Sequence, residues 1–141
     1  MIQKGETARV FMGRLPFRGD LLESVEELAR EANVTCGRVE IIGAVEQAVV
    51  SYYHQEEQKY QDLHYDQHLE ILSCVGNISL KDGEPKAHLH ITLADSQGQT
   101  WGGHLQKGTV IFAGEIVLQE IQGPELHRGF DKNTGLPLWE M

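Results

Sequence analysis

The chain shows one helical pattern early and never repeats it. Leu21, Val25, Leu28 and Ala32 recur at i, i+4, i+7 and i+11, widened by Leu22 and Ala29. That is the apolar stripe of a helix lying on a core, predicted over residues 21–32. Asp20 stands where an N-cap belongs, and Glu23, three residues on, completes a capping box. Asn33 is placed to cap the C-terminus. Glu23, Glu26, Glu27, Arg30 and Glu31 fall on the other side and read as a solvated face.

The rest of the chain is mostly of strand type. Residues 6–14 already alternate weakly, with Val10 and Met12 on one side and Phe11 on the other. After the helix, residues 38–44 and 46–53 are rich in β-branched and aromatic side chains and predict two strands separated at Gly43. Residues 54–60 read as a polar loop. Residues 64–80 form a long extended run with a bend or bulge at Gly76-Asn77, and residues 81–85 a turn. Further strands are predicted at 87–94, 100–105 and 109–121, with an irregular tail over residues 123–141. One helix and then consecutive strands predict an α+β fold with a mostly antiparallel sheet. The chain of 141 residues reads as one domain, its core at about residues 7–122.

A domain of this length buries enough surface to fold without a metal staple, so a metal site here is free to be functional. The formal net charge of −9 opposes both a phosphate backbone and an anionic membrane. Lys4, Arg9, Arg14 and Arg18 make the densest basic stretch and are not a tight cluster. The first residues carry no signal-peptide core, and no run approaches the ~20 apolar residues of a membrane helix. Two cysteines, Cys36 and Cys74, predict no disulfide framework and a cytoplasmic location.

The chemistry concentrates in histidines. On a strand, alternate residues share a face, so His88 and His90 point one way and Leu89 and Ile91 the other. Whether His104 joins them depends on the register of the next strand. A four-residue loop over 95–98 would pair Leu89 with His104 and put that ring on the wrong side. The sequence fits the common three-residue loop instead, Ser96-Gln97-Gly98 with Gly98 left-handed; this pairs Asp95 with Gln99 and His90 with His104 and predicts that all three rings share one face. A bulge at Gly102-Gly103 would change that count again.

Three imidazoles on one face suit Zn²⁺ or another divalent first-row metal, with one coordination position left for water or a small-molecule ligand. Asp95 and Glu115 are candidates to orient a ring N–H. The two glycines before His104 clear space for a ligand or a neighbouring subunit. His54, His64, His68 and His127 read as surface or packing residues, as do Trp101 and Trp139. No phosphate-binding loop, dinucleotide fingerprint or nucleophile elbow occurs.

The chain resembles the plant and prokaryote conserved (PPC) domain. The resemblance is carried by the helix over 21–32, Ile42-Gly43, Glu70-Ile71-Leu72-Ser73, Gly76-Asn77-Ile78, His88-Leu89-His90, Gly102-Gly103-His104-Leu105, Gly108 and Glu115-Ile116-Val117-Leu118. It implies a mostly antiparallel fold, a homotrimer, and a metal held by His88, His90 and His104. Plant members carry an AT-hook that binds DNA, and the family is often described as DNA-binding. This sequence has no Arg-Gly-Arg-Pro segment, so DNA is the less favoured partner. The plant partner-binding stretch Gly-Arg-Phe-Glu-Ile-Leu is matched only in its second half, by Gln67-His68-Leu69-Glu70-Ile71-Leu72.

Overall fold

In the computed structural model, which describes residues 1–141, the chain opens with β1 (Glu6–Arg14) and continues into α1 (Leu21–Glu31). The Asp20 side chain accepts the Glu23 N–H at 3.0 Å, and Asn33 takes the left-handed conformation just past the helix at φ 52°. Both ends therefore obey the capping chemistry. Leu21, Val25 and Ala29 are buried, as the stripe requires.

One residue departs from the expected wet face. Glu26 is 7% exposed. Its carboxylate accepts Lys86 Nζ at 2.9 Å and the Ala87 N–H at 3.3 Å. The helix lies against the strand carrying those residues, and the two bonds satisfy a charge that burial would otherwise penalise.

The strands are β2 (Gly37–His54), β3 (Lys59–Tyr65), β4 (Leu69–Lys81), β5 (Glu84–Ala94), β6 (Thr100–Leu105), β7 (Val110–Gln122), β8 (Arg128–Phe130) and β9 (Pro137–Trp139). The two strands expected around Gly43 are one strand of 18 residues. Register shifts between Ile41 and Gly43 bend it without breaking it. The expected loop over 54–60 is a tight hairpin, because His54 already pairs with Lys59. The run over 64–80 divides between β3 and β4. Gly76-Asn77 is regular ladder, paired with Leu89 and His88, and the irregularity in β4 falls at Ile71/Ser73 instead. Asp82 and Gly83, both at positive φ, make the β4–β5 turn.

The sheet order is β1-β7-β2-β4-β5-β6, and β6 returns to pair with β2, so four strands close a ring. β2 makes this closure because it is long and bent. Its first half pairs with β4 and β7, and its second half with β3 and β6. The core fills the concave side with Val39, Ile41, Ile71, Leu89, Ile91, Leu93 and Leu105, and α1 packs against β5. The tail is less irregular than expected. β8 and β9 form a second, two-stranded sheet, and Leu80 N–H donates to the Leu126 carbonyl at 2.9 Å. No helix is long and apolar enough to cross a membrane.

Replacing Glu26 by Ala should lower stability by roughly 1–3 kcal/mol, since the Ala87 N–H loses its partner. Exposed Glu27→Ala should stay within about 0.5 kcal/mol. Urea unfolding of both variants checks the contrast.

Candidate metal centre

The β5–β6 hairpin sets the register on which the histidines depend. Asp95 N–H donates to Gln99 O at 3.0 Å, Gly98 N–H donates to Asp95 O at 3.0 Å, and Gly98 has φ 77°. The three-residue loop is therefore the one formed. His90 pairs with His104, and the ladder runs on through Gly103 and Gly102 without a bulge.

The glycine pair has a further use inside the chain. A Cβ on Gly102 would stand 2.4 Å from the Ile91 carbonyl oxygen, and one on Gly103 2.9 Å from the Ser51 carbonyl oxygen. The close approach is made by β5 and β2 of the same chain, and Gly103 also lines the cavity beside the histidines. β6 fits between the two strands because it lacks side chains there.

His88, His90 and His104 come together with one ligand atom from each inside 4.8 Å of the others. Ring centroids lie 4.9 to 5.5 Å apart, and the Nε2 atoms of His88 and His90 are 3.3 Å apart. The donor set is all imidazole nitrogen. Burial is the main cause that pushes both His88 and His104 down to about 4. The neighbouring imidazoles and Arg128 push the same way. Neutral rings at pH 7 keep the lone pairs a metal requires. The residues therefore fit a divalent metal.

The other sequence candidates lie elsewhere. Asp95 Oδ1 accepts the N–H groups of Gln97 and Gln99 at 2.9 Å, so its carboxylate holds the turn. Glu115 sits in β7 between Arg14 and Ile42, away from the histidines' cavity. His54 bonds Gln61 and His127 contacts Glu125. Cys36 and Cys74 are unpaired, and burial pushes the Cys74 thiol up to about 12. Trp101 packs on the core beside Tyr65, whereas Trp139 lies under Arg128 at the surface.

Several site residues gave no signal in the sequence. The histidines open into a cavity of about 630 Å³ also lined by Tyr53, Tyr60, Arg128 and Pro137. Tyr60 lies against His104 with centroids 5.4 Å apart. Arg128 donates to Asn77 Oδ1 at 2.6 Å and to the Pro137 carbonyl at 3.1 Å. Tyr53 Oη donates to the Thr134 carbonyl at 2.6 Å, which ties the tail over the cavity. Strands of three residues are too short for periodicity to reveal, and a lone arginine in a tail has no spacing to read.

In metal-free protein, His88 and His104 should stay neutral until pH falls toward 4. The sign comes from the unfolded chain, whose histidines protonate near the ordinary 6.5. Stability from this pair is complete above about 6.5 and is lost as pH falls from there toward 4. Imidazole ¹⁵N titration by NMR, with pH-dependent unfolding, checks both. Arg128→Gln should move both midpoints upward.

Comparison with known proteins agrees with this architecture. A metal-containing protein from Archaeoglobus fulgidus superposes with a TM-score of 0.95 at 36% identity, covering 100% of this chain and 99% of that one. A plant- and prokaryote-conserved protein from Pyrococcus horikoshii gives 0.94 at 31%, covering 100% and 98%. The bifunctional protein GlmU of Synechococcus sp. (strain JA-3-3Ab) is 36% identical over 129 residues, which is 90% of this chain. The chain spans about a fifth of the length of the curated relatives it matches, 20% in this case. The Plants and Prokaryotes Conserved (PCC) domain matches residues 2–122, and with the ring of strands, the single helix and the histidine-bearing hairpin in place, the chain belongs to that family.

Proposed function

We propose that this chain is a homotrimeric, metal-dependent protein that presents a three-histidine divalent-metal site, best suited to Zn²⁺, to a small-molecule ligand. The observation that carries the reading is the convergence of His88, His90 and His104, with no carboxylate, at the end of an open cavity. His88, His90 and His104 would hold the metal. When bound, such an ion supplies a Lewis acid with a position open to water or a ligand. The chain's own residues keep the His88 and His104 imidazoles neutral by burial, enclose the cavity with Tyr53 and Tyr60, and set ring positions through the β5–β6 register.

The trimer is supported by the outer sheet face. Met12 pairs with Val117, which pairs with Glu40, which pairs with Val75, which pairs with His90. Paired residues share a face. Met12 is 79% exposed, and Val10, Ile42, Leu72 and Val75 are also exposed. An apolar face of this kind is characteristic of subunit contact. A cytoplasmic location goes with this reading, since both thiols are free. DNA binding is disfavoured by the net charge of −9.

Untagged protein should carry about one divalent metal per chain by elemental analysis. His88→Ala and His104→Ala should lose it while circular dichroism stays unchanged. Absence of metal in wild type after zinc dialysis would end the metal reading. Duplex DNA binding with steep salt dependence would replace the small-molecule one.

Light scattering should give three times the 15.8 kDa chain mass at micromolar concentration. Met12→Glu with Ile42→Glu should shift the protein to monomer.

A further inference from the structure

The cavity beside the histidines has a charge pattern opposite to that of the whole chain. The chain carries 21 acidic and 12 basic residues. Yet the cavity is lined by Arg128, Lys81 and Lys86 and by no aspartate or glutamate. Lys86 is neutralised by Glu26. Arg128 takes part in none of the chain's seven ion pairs. It is half-buried, and burial lowers its pKa, opposed only by the phenol of Tyr60 and by no carboxylate. A partly desolvated guanidinium without a counter-charge is unfavourable on its own and becomes favourable when an anion is bound.

The guanidinium is also held in place. Two of its five N–H donors are engaged, one by Asn77 and one by the Pro137 carbonyl, and the Trp139 ring lies 5.8 Å from Cζ. Asn77 pairs with His88 across the β4–β5 ladder, so the arginine is anchored to the row that carries the first histidine. A rigid guanidinium with free donors is suited to a planar carboxylate, which it can grip with two parallel bonds. The remaining walls come from Tyr53, Tyr60, Leu136 and Leu138, which suit an apolar or unsaturated body.

From this geometry we infer that the ligand is a small organic carboxylate, bound with its anionic head between Arg128 and the three-histidine cluster and its body against the tyrosines. This deepens the metal-site reading and rests on it. Arg128 and its supports Pro137 and Trp139 come from residues beyond 122, so the tail is part of the binding site rather than an appendage to the domain.

Benzoate, its neutral isostere benzamide and inorganic phosphate serve as probes in calorimetric titrations of zinc-loaded and metal-free protein. Benzoate is expected to bind wild type and to weaken roughly ten- to a hundredfold in Arg128→Gln, the effect of losing charge-assisted bonds. Zinc stoichiometry should be unchanged in that variant. Arg128→Lys should recover part of the affinity, which separates a lost charge from a misfolded tail. Benzamide should bind at least tenfold more weakly than benzoate. Equal benzoate affinity in wild type and Arg128→Gln would overturn the inference, as would equal binding of benzamide. Phosphate binding tighter than benzoate would overturn the carboxylate assignment in favour of a phosphate. Failure of zinc to bind would sink the metal reading alone. The Arg128 dependence of benzoate binding would still be read in the metal-free protein, where its absence overturns the inference.

Discussion

The histidine cluster depends on the close seating of β6 between β5 and β2. The Ile91 carbonyl oxygen lies where a Cβ on Gly102 would be 2.4 Å away, and the Ser51 carbonyl lies almost as close to Gly103. Two glycines in succession let β6 complete the ring on both edges. Only then does His104 stand opposite His90 on one side and Ser51 on the other. Backbone sterics at a position with no side chain therefore decide whether three imidazoles meet.

Ring closure also sets the electrostatics. Once β2 returns to β6, the hairpin carrying Tyr53 and Tyr60 stands beside the histidines, and the tail is held across them by the Tyr53–Thr134 bond. That covering removes water from His88 and His104, which keeps both rings neutral at pH 7. The same covering brings in Arg128. Helix α1 contributes from the other side of β5. Glu26 grips Lys86 and the Ala87 N–H, immediately before His88. The rigid element thus anchors the strand at the start of the site.

Much of the fold is legible in the sequence because local chemistry and tertiary structure agree. The Asp20 cap, the 21–32 stripe, the strand succession and the Gly98 turn all depend on neighbours within a few residues. The histidine face is legible for the same reason, since strand alternation and one loop length suffice to place it. Sequence and structure part where distant chain intervenes. Glu26 reads as solvated because its partners lie 60 residues away. Gly43 reads as a break because a bulge and a break share the same residue preference. Gly76-Asn77 reads as a bend, yet the glycine sits in regular ladder where a Cβ would meet the His88 carbonyl oxygen at 1.9 Å.

The sequence by itself determined the helix, the antiparallel class and the shared face of His88 and His90, because each rests on periodicity or on a turn. Gly98 in a three-residue loop also pointed to the register that sets His104 opposite His90. The regular ladder through Gly102-Gly103, the burial of His88 and His104 and the arrival of Arg128 were decided only by the tertiary structure. The physical reason is that a closed ring of strands brings residues 51, 77, 104 and 128 together through backbone pairing and side-chain bonds between distant segments. No local pattern records such pairings.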